Sequence, residues 1–192
     1  MAKVELNMMV NGIRGQVDKA VFKRYRGRTI LAHPPVQEGE RTAAQTAHSE
    51  RFKKAARYGR RALEDTALRA RYEQAAEARD LPIFAVCMAD YFNPPSIVSI
   101  DHSAYQWQAG DNIQIETMDD FGVAKVSVVL INADTGEPLE NGLALESSPG
   151  SELWNYTVKN AWPGIPVNIQ VTATDHPGGV AVQNVIKPLL AA

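Results

Sequence analysis

The sequence predicts an α+β protein whose two halves differ in secondary structure. Three observations support this prediction: a helical pattern of apolar residues before residue 93, short β-like runs after residue 96, and an Asn-Pro-Pro-Ser segment between them. The segment at 93–96 cannot continue a helix, because proline lacks the amide donor and restricts the residue before it. We therefore expect one domain over residues 1–93 and a second over residues 94–192.

The first element, over residues 15–32, is predicted to be a β-hairpin. Apolar and basic residues alternate there around Arg26-Gly27, a turn-like pair. The basic run 23–28 forms the predicted outward face. The predicted apolar face consists of Val21, Phe22, Ile30 and Leu31.

A small helical bundle is predicted to follow the hairpin. Thr42 and Gln45 have the spacing of a capping box at the start of a helix over residues 42–58, and Gly59 is expected to interrupt that helix. The predicted second helix covers residues 67–79, after Asp65 or Thr66 as the N-cap, and the third is IFAVCMADYF, after Pro82. Apolar residues at spacings of three and four give these helices one buried stripe and leave the arginines outside.

Short strands are predicted for the rest of the chain: SIVSID, NIQIETMD, AKVSVVLINAD, LWNYTVK, VNIQVTATD and a weaker VAVQNVI. The segments between these strands are typical of turns, namely GD, TGE, NG, SPGS and HPGG. Such strands, with Trp154 in one of them and no cysteine pair, predict an immunoglobulin-like β-sandwich without its disulfide. The single cysteine, Cys87, lies in an apolar run and is predicted to be a small buried hydrophobe.

Charge is divided unevenly along the chain. Residues 1–80 hold 17 Lys and Arg against 10 Asp and Glu, whereas residues 81–192 hold 3 against 12. With neutral histidines the two halves carry about +7 and −9. This asymmetry suits either a basic end that binds a polyanion or unlike ends that attract each other between subunits.

The sequence predicts no enzyme and no cofactor. Asp120-Phe121-Gly122 matches a kinase tripeptide, but the glycine-rich loop and the HRD element are missing, so a turn before a strand explains it better. The four histidines lack zinc-ligand spacing, and no serine lies in a G-x-S-x-G elbow. Asp119, Asp120 and Asp175 are the candidates for a calcium site. Alternatively, each of these carboxylates accepts backbone N–H bonds in its own turn.

A set of basic residues is the main candidate for a functional surface. Neutralising several phosphates would give it a salt-dependent affinity for nucleic acid, with Tyr25 and Tyr58 stacking on bases. The alternatives are a protein partner or a solvated face paired with acidic neighbours. The set comprises Lys23, Arg24, Arg26, Arg28, Lys53, Lys54, Arg57, Arg60 and Arg61.

Two resemblances point to an assembly role. The C-terminal half is similar to bacterial Ig-like modules of surface and phage proteins, which have no common chemistry. The segments that carry this similarity are DDFGVAKVSVVL, WNYTV and VNIQVTATDHPGG. The N-terminal half resembles a group of small bacterial and phage-encoded proteins. The pattern that carries this resemblance is Gly15, Val21-Phe22, the basic run 23–28, Pro34, TAAQ and Arg51-Phe52. That resemblance implies a structural role among virion or tail components. The chain departs from the group's pattern at 37–40, where QEGE replaces the usual Asn-Pro.

The sequence therefore favours a self-associating structural subunit of a phage-like virion, tail or surface filament, with nucleic-acid binding as the alternative. Head-to-tail contacts between the basic and acidic halves would generate rings or filaments. The N-terminal strand is also a candidate for exchange with a neighbour's sheet edge, through Val4, Leu6, Met8 and Val10. We expect synthesis in the cytoplasm without a Sec signal, followed by virion or extracellular assembly, and no apolar run has the roughly 20 residues that a bilayer span needs.

Overall fold

The structure, a computed structural model, describes residues 2–3, 13, 15–25, 28–34 and 39–189. The chain divides into two compact units, residues 1–46 and residues 47–192. The boundary expected between residues 93 and 94 falls inside the second unit, where it marks the change from helices to strands. The fold is α+β, and the described residues contain three helices and antiparallel sheets.

In the described part of the first unit, four antiparallel strands form one sheet: β1 (Ala2–Lys3), β2 (Gly15–Val17), β3 (Ala20–Tyr25) and β4 (Arg28–Ala32). Their order across the sheet is β1-β4-β3-β2. Strands β3 and β4 pair within one chain, from Val21 opposite Ala32 to Tyr25 opposite Arg28. The hairpin predicted over residues 15–32 is therefore present.

The predicted apolar face of this hairpin is wrong. Neighbouring residues in a strand point to opposite faces, so Val21 and Phe22 cannot share one. The same holds for Ile30 and Leu31. Phe22 lies opposite Leu31, whereas Lys23 lies opposite Ile30. Each face of the hairpin therefore carries half-buried apolar residues.

Three helices follow within residues 39–95: α1 (Ala43–Glu64), α2 (Thr66–Arg79) and α3 (Ile83–Phe92). The predicted capping box is present at the start of α1, because the Thr42 N–H donates to Gln45 Oε1 at 3.0 Å and the Gln45 N–H donates to Thr42 Oγ1 at 3.2 Å. Asp65 caps α2 by accepting hydrogen bonds from two backbone N–H groups of its first turn. The helices bury a small cluster that consists of Ala62, Tyr72, Ala76, Val86 and Cys87.

Gly59 lies inside α1 and does not end it, so the expected interruption is wrong. A Cβ at Gly59 would lie 2.9 Å from a ring carbon of Phe84 in α3, which is closer than carbon atoms normally pack. The glycine lets α1 and α3 approach each other. That contact offsets a helix-propensity cost of about 1 kcal/mol.

Between residues 96 and 189, the second unit has eight strands: β5 (Ser96–Asp101), β6 (Asn112–Met118), β7 (Val123–Asn132), β8 (Pro138–Leu143), β9 (Leu145–Glu146), β10 (Leu153–Thr157), β11 (Val167–Asp175) and β12 (Val180–Lys187). They form two antiparallel sheets, ordered β5-β6-β10-β9 and β12-β11-β7-β8. Buried and half-buried residues alternate along β11, as expected for a strand with one face on the core. Both sheets contribute to one apolar core, which makes this part a β-sandwich.

The predicted strands are present, and two further strands were not predicted. Asn141-Gly142 was expected to be a turn, but it lies within β8. A Cβ at Gly142 would lie 2.9 Å from the ring of Tyr156, so this glycine serves close packing. Among the described residues, no helix combines the length and apolar character that crossing a bilayer requires.

Candidate functional site

Three aspartates converge in the second unit. Asp90 lies in α3, Asp119 in the turn between β6 and β7, and Asp175 at the end of β11. Each offers one ligand oxygen, and the three oxygens lie within 4.8 Å of one another. Asp90 and Asp175 are 1% and 3% exposed, and Asp119 is half-buried. The fold thus brings carboxylates from three distant segments to one point.

Local structure orients the side chain of each of the three aspartates. Asp90 follows Val86 by one helical turn and shares the buried face of α3. Asp119 closes its own turn, where its Oδ1 accepts the Phe121 N–H at 2.8 Å. The Asp175 Oδ1 accepts the Gly179 N–H across the turn that leads from β11 into β12.

Each aspartate has one oxygen that is held and one that is free. The held oxygen of Asp90 is Oδ2, which accepts the hydroxyl hydrogen of Tyr72. Asp90 Oδ1, Asp119 Oδ2 and Asp175 Oδ2 are buried and have no hydrogen-bond partner among the described residues. Buried polar atoms without partners are uncommon in folded proteins, and three of them at one point require an explanation.

Burial and mutual repulsion disfavour three ionised carboxylates here. Burial raises the pKa of Asp90 to about 7, against the opposing effect of the Tyr72 hydroxyl, and the negative charges of Asp119 and Asp175 raise it further. Burial also raises the pKa of Asp175. The Tyr58 hydroxyl lies 2.6 Å from the Tyr72 hydroxyl and continues the hydrogen-bonded chain.

A cleft of about 720 Å³ has Tyr72, Asp119 and His176 in its wall, whereas Asp90 and Asp175 do not line it. Arg71 binds His176 at 2.9 Å and the carbonyl oxygen of Phe121 at 3.4 Å. Burial, and after it the charge of Arg71, lower the pKa of His176, and the imidazole Nε2 accepts from the arginine. Among the described residues, no lysine or arginine forms an ion pair with the three aspartates.

The structure brings together two of the three residues expected to bind calcium. Asp119 and Asp175 meet, whereas Asp120 is exposed and accepts a hydrogen bond from the Asn93 amide at 2.9 Å. Asp90 was not predicted. The available signal was its place as the one charged residue of an otherwise apolar helix. The DFG tripeptide forms a turn that leads into β7.

Glu140 is a buried carboxylate of a different kind. Its oxygens accept hydrogen bonds from Tyr156, Lys159, Asn160 and Trp162, at distances between 2.7 and 3.3 Å. Burial opposes its charged form, but the Lys159 N–H, the Tyr156 hydroxyl, the Trp162 indole and the Asn160 N–H outweigh burial and lower its pKa. Glu140 is therefore a satisfied structural anion, and the three aspartates are not.

The predicted basic surface is only partly described. Its α1 members are all exposed, and their spacing places them within an arc of about 120° on one side of the helix. Lys53 pairs with Glu50 at 2.7 Å, while the others form no ion pair with a described residue. These five residues are Lys53, Lys54, Arg57, Arg60 and Arg61, and we call them the α1 basic face.

The hairpin members of the basic set belong to the other unit. Lys23 and Arg28 are exposed, whereas the side chain of Arg24 and the whole of Arg26 lie outside the described residues. The strand-exchange candidates also lie outside them, namely Val4, Leu6, Met8 and Val10.

No model of a known protein family matches the chain, and no curated protein sequence matches it. Among solved structures, the crystal structure of CopC from Methylosinus trichosporium OB3b is similar at a TM-score of 0.37 and 14% identity. The similarity covers 48% of this chain and 89% of that one.

Proposed function

We propose that this chain is a non-enzymatic assembly subunit in which the α1 basic face of one copy docks on the acidic sandwich of another. The observation that carries the proposal is the exposure of opposite charges on two parts of the second unit. The α1 basic face lies opposite the buried stripe of its helix, Ala55, Gly59 and Ala62. The sandwich exposes Glu137, Glu146 and Glu152. Unlike patches on one chain favour head-to-tail contacts between copies.

The same proposal treats the sandwich as an immunoglobulin-like module. Strand order supports it, because β5-β6-β10-β9 corresponds to A-B-E-D and β12-β11-β7 to G-F-C of that fold, with β8 in the C′ position. The sandwich departs from antibody domains because its strand tryptophan, Trp154, lies in β10 rather than in the C strand. Modules of this architecture serve adhesion and assembly without a common chemistry.

Nucleic-acid binding is the second candidate, and the α1 basic face also supports it. Tyr58 is less suited to stacking on bases than the sequence indicated. Its hydroxyl is hydrogen-bonded to Tyr72, and its ring packs against that of Tyr91 with 6.0 Å between the ring centroids. A half-buried ring held in this way offers little surface for base stacking.

Sedimentation velocity at about 50 mM and 500 mM NaCl tests the assembly, because exposed charge pairs are screened at high salt. We expect larger species at the lower salt only, and their loss when Lys54, Arg57 and Arg60 are changed to glutamate. Changing Glu137, Glu146 and Glu152 to lysine should have the same effect, and combining both sets should restore assembly. A wild-type chain that stays monomeric at 50 mM salt contradicts the proposal.

A gel-shift series at about 50 and 200 mM salt separates the two candidates. Binding through several phosphates would weaken roughly a thousandfold or more between these conditions. Nucleic-acid binding by a monomeric wild-type chain would favour the second candidate over the first.

A further inference from the structure

We propose that Asp90, Asp119 and Asp175 form a binding site for one hard divalent cation, with calcium as the first ion to test. The inference is independent of how the chain assembles. It stands on geometry, because three carboxylates from three segments place ligand oxygens within 4.8 Å of one another. Ca²⁺ binds oxygens at about 2.3–2.6 Å, so oxygens around one ion lie up to about 5 Å apart.

The unsatisfied oxygens are an independent observation. Asp90 and Asp175 are nearly fully buried, and each has one buried oxygen without a hydrogen-bond partner among the described residues. Burying a carboxylate without a partner is costly, which is why buried charges are normally paired or bound to metal. Glu140 shows how this chain satisfies a buried carboxylate that needs no ion, since both of its oxygens accept hydrogen bonds.

The held oxygens supply the support that metal ligands usually have. Tyr72, the Phe121 N–H and the Gly179 N–H each donate a hydrogen bond to one oxygen of an aspartate in the cluster. Such outer contacts fix the orientation of ligands before the ion binds. Position 179 is glycine for a compatible reason, because a Cβ there would collide with the free Oδ2 of Asp175.

The donor set selects the class of ion. All three ligands are carboxylates, which suit calcium, magnesium and manganese rather than the soft ions that prefer thiolate or imidazole. The imidazole of His176 is engaged by Arg71, and Cys87 is fully buried in the helical cluster. The cleft gives solvent access to Asp119, one of the three ligands.

Thermal unfolding of EDTA-treated protein, with and without added chloride salts of calcium, magnesium and manganese, tests the site. At a hundredfold excess over the dissociation constant, we expect the Tm to rise by about 5–10 °C with at least one ion. The matched variants are Asp90→Asn and Asp120→Asn, which make the same change inside and just outside the cluster. Asp90→Asn should abolish the rise, and Asp120→Asn should keep it.

Terbium luminescence on the wild-type chain keeps the test valid if Asp90→Asn does not fold. Terbium, a calcium substitute, should be sensitised by the nearby Tyr72 and displaced by the ion that raises the Tm. The proposal is overturned if none of the three ions changes the Tm, or if both variants lose the response equally.

Discussion

Tyr72 of α2 donates its hydroxyl hydrogen to Asp90 of α3, and this bond leaves the other oxygen of Asp90 free and buried. The contact joins two helices and at the same time orients a carboxylate toward Asp119 and Asp175. Helix packing and the proposed cation site therefore depend on the same hydrogen bond.

Asp90→Asn should alter the pH dependence of stability in cation-free protein. The pKa of Asp90 in the fold, about 7, lies above the ordinary value of 3.8, so its protonation stabilises the fold at low pH. This contribution is complete below about pH 4 and is lost as the pH rises through 7. From pH 8 to pH 5 the wild type should gain about 2 to 3 kcal/mol relative to the variant, measured by urea unfolding in EDTA. Parallel pH profiles would contradict the assignment.

Tyr72→Phe should weaken both the fold and the cation site. The change removes the donor to Asp90 and the contact with Tyr58, which should cost about 1 to 3 kcal/mol. Losing the outer support of one ligand should lower cation affinity about tenfold or more. Tyr58→Phe is the control, because it leaves the bond from Tyr72 to Asp90 in place and should keep most of the affinity. Calorimetric titration of the three proteins measures the difference.

Gly179→Ala tests the geometry without changing charge. The added methyl group would collide with the Oδ2 of Asp175, so this carboxylate must move away from its position. We expect the variant to lose most of the Tm rise caused by the ion. Its circular dichroism spectrum in EDTA should match that of the wild type. A full cation response in a folded Gly179→Ala protein would exclude Asp175 as a ligand.

Glu140→Gln should destabilise the sandwich without affecting the cation. A glutamine presents one acceptor atom in place of two, so it leaves donors from Asn160 and Trp162 without partners. The expected cost is about 2 to 4 kcal/mol in urea unfolding, equal with and without added ion. An ion-dependent cost would mean that Glu140 takes part in the cation site.

The strands and helices were largely predictable because their signals are local. Alternation along β11 and the capping pair of Thr42 and Gln45 can be read within a few residues. The predictions at Gly59 and Gly142 were wrong because each glycine makes room for an aromatic ring from a distant element. The ring is that of Phe84 at Gly59 and that of Tyr156 at Gly142. Local patterns cannot reveal such contacts.

The aspartate cluster was predictable only in part. Asp119 and Asp120 are adjacent in the sequence, and the geometry of their turn decides which one faces the centre. Asp90 joins Asp119 and Asp175 only in the folded chain, a tertiary relationship that sequence spacing does not contain. The strongest sequence signal for it is a lone carboxylate in an apolar helix.

The most direct test of the account is calorimetric titration of EDTA-treated wild-type protein with calcium chloride at pH 7, repeated in two buffers of different ionisation enthalpy. We expect one ion per chain and the release of a fraction of a proton, because the pKa of Asp90 is about 7 and the ion competes with its proton. If calcium, magnesium and manganese all produce no binding heat in either buffer, and none raises the Tm, the cation site is contradicted.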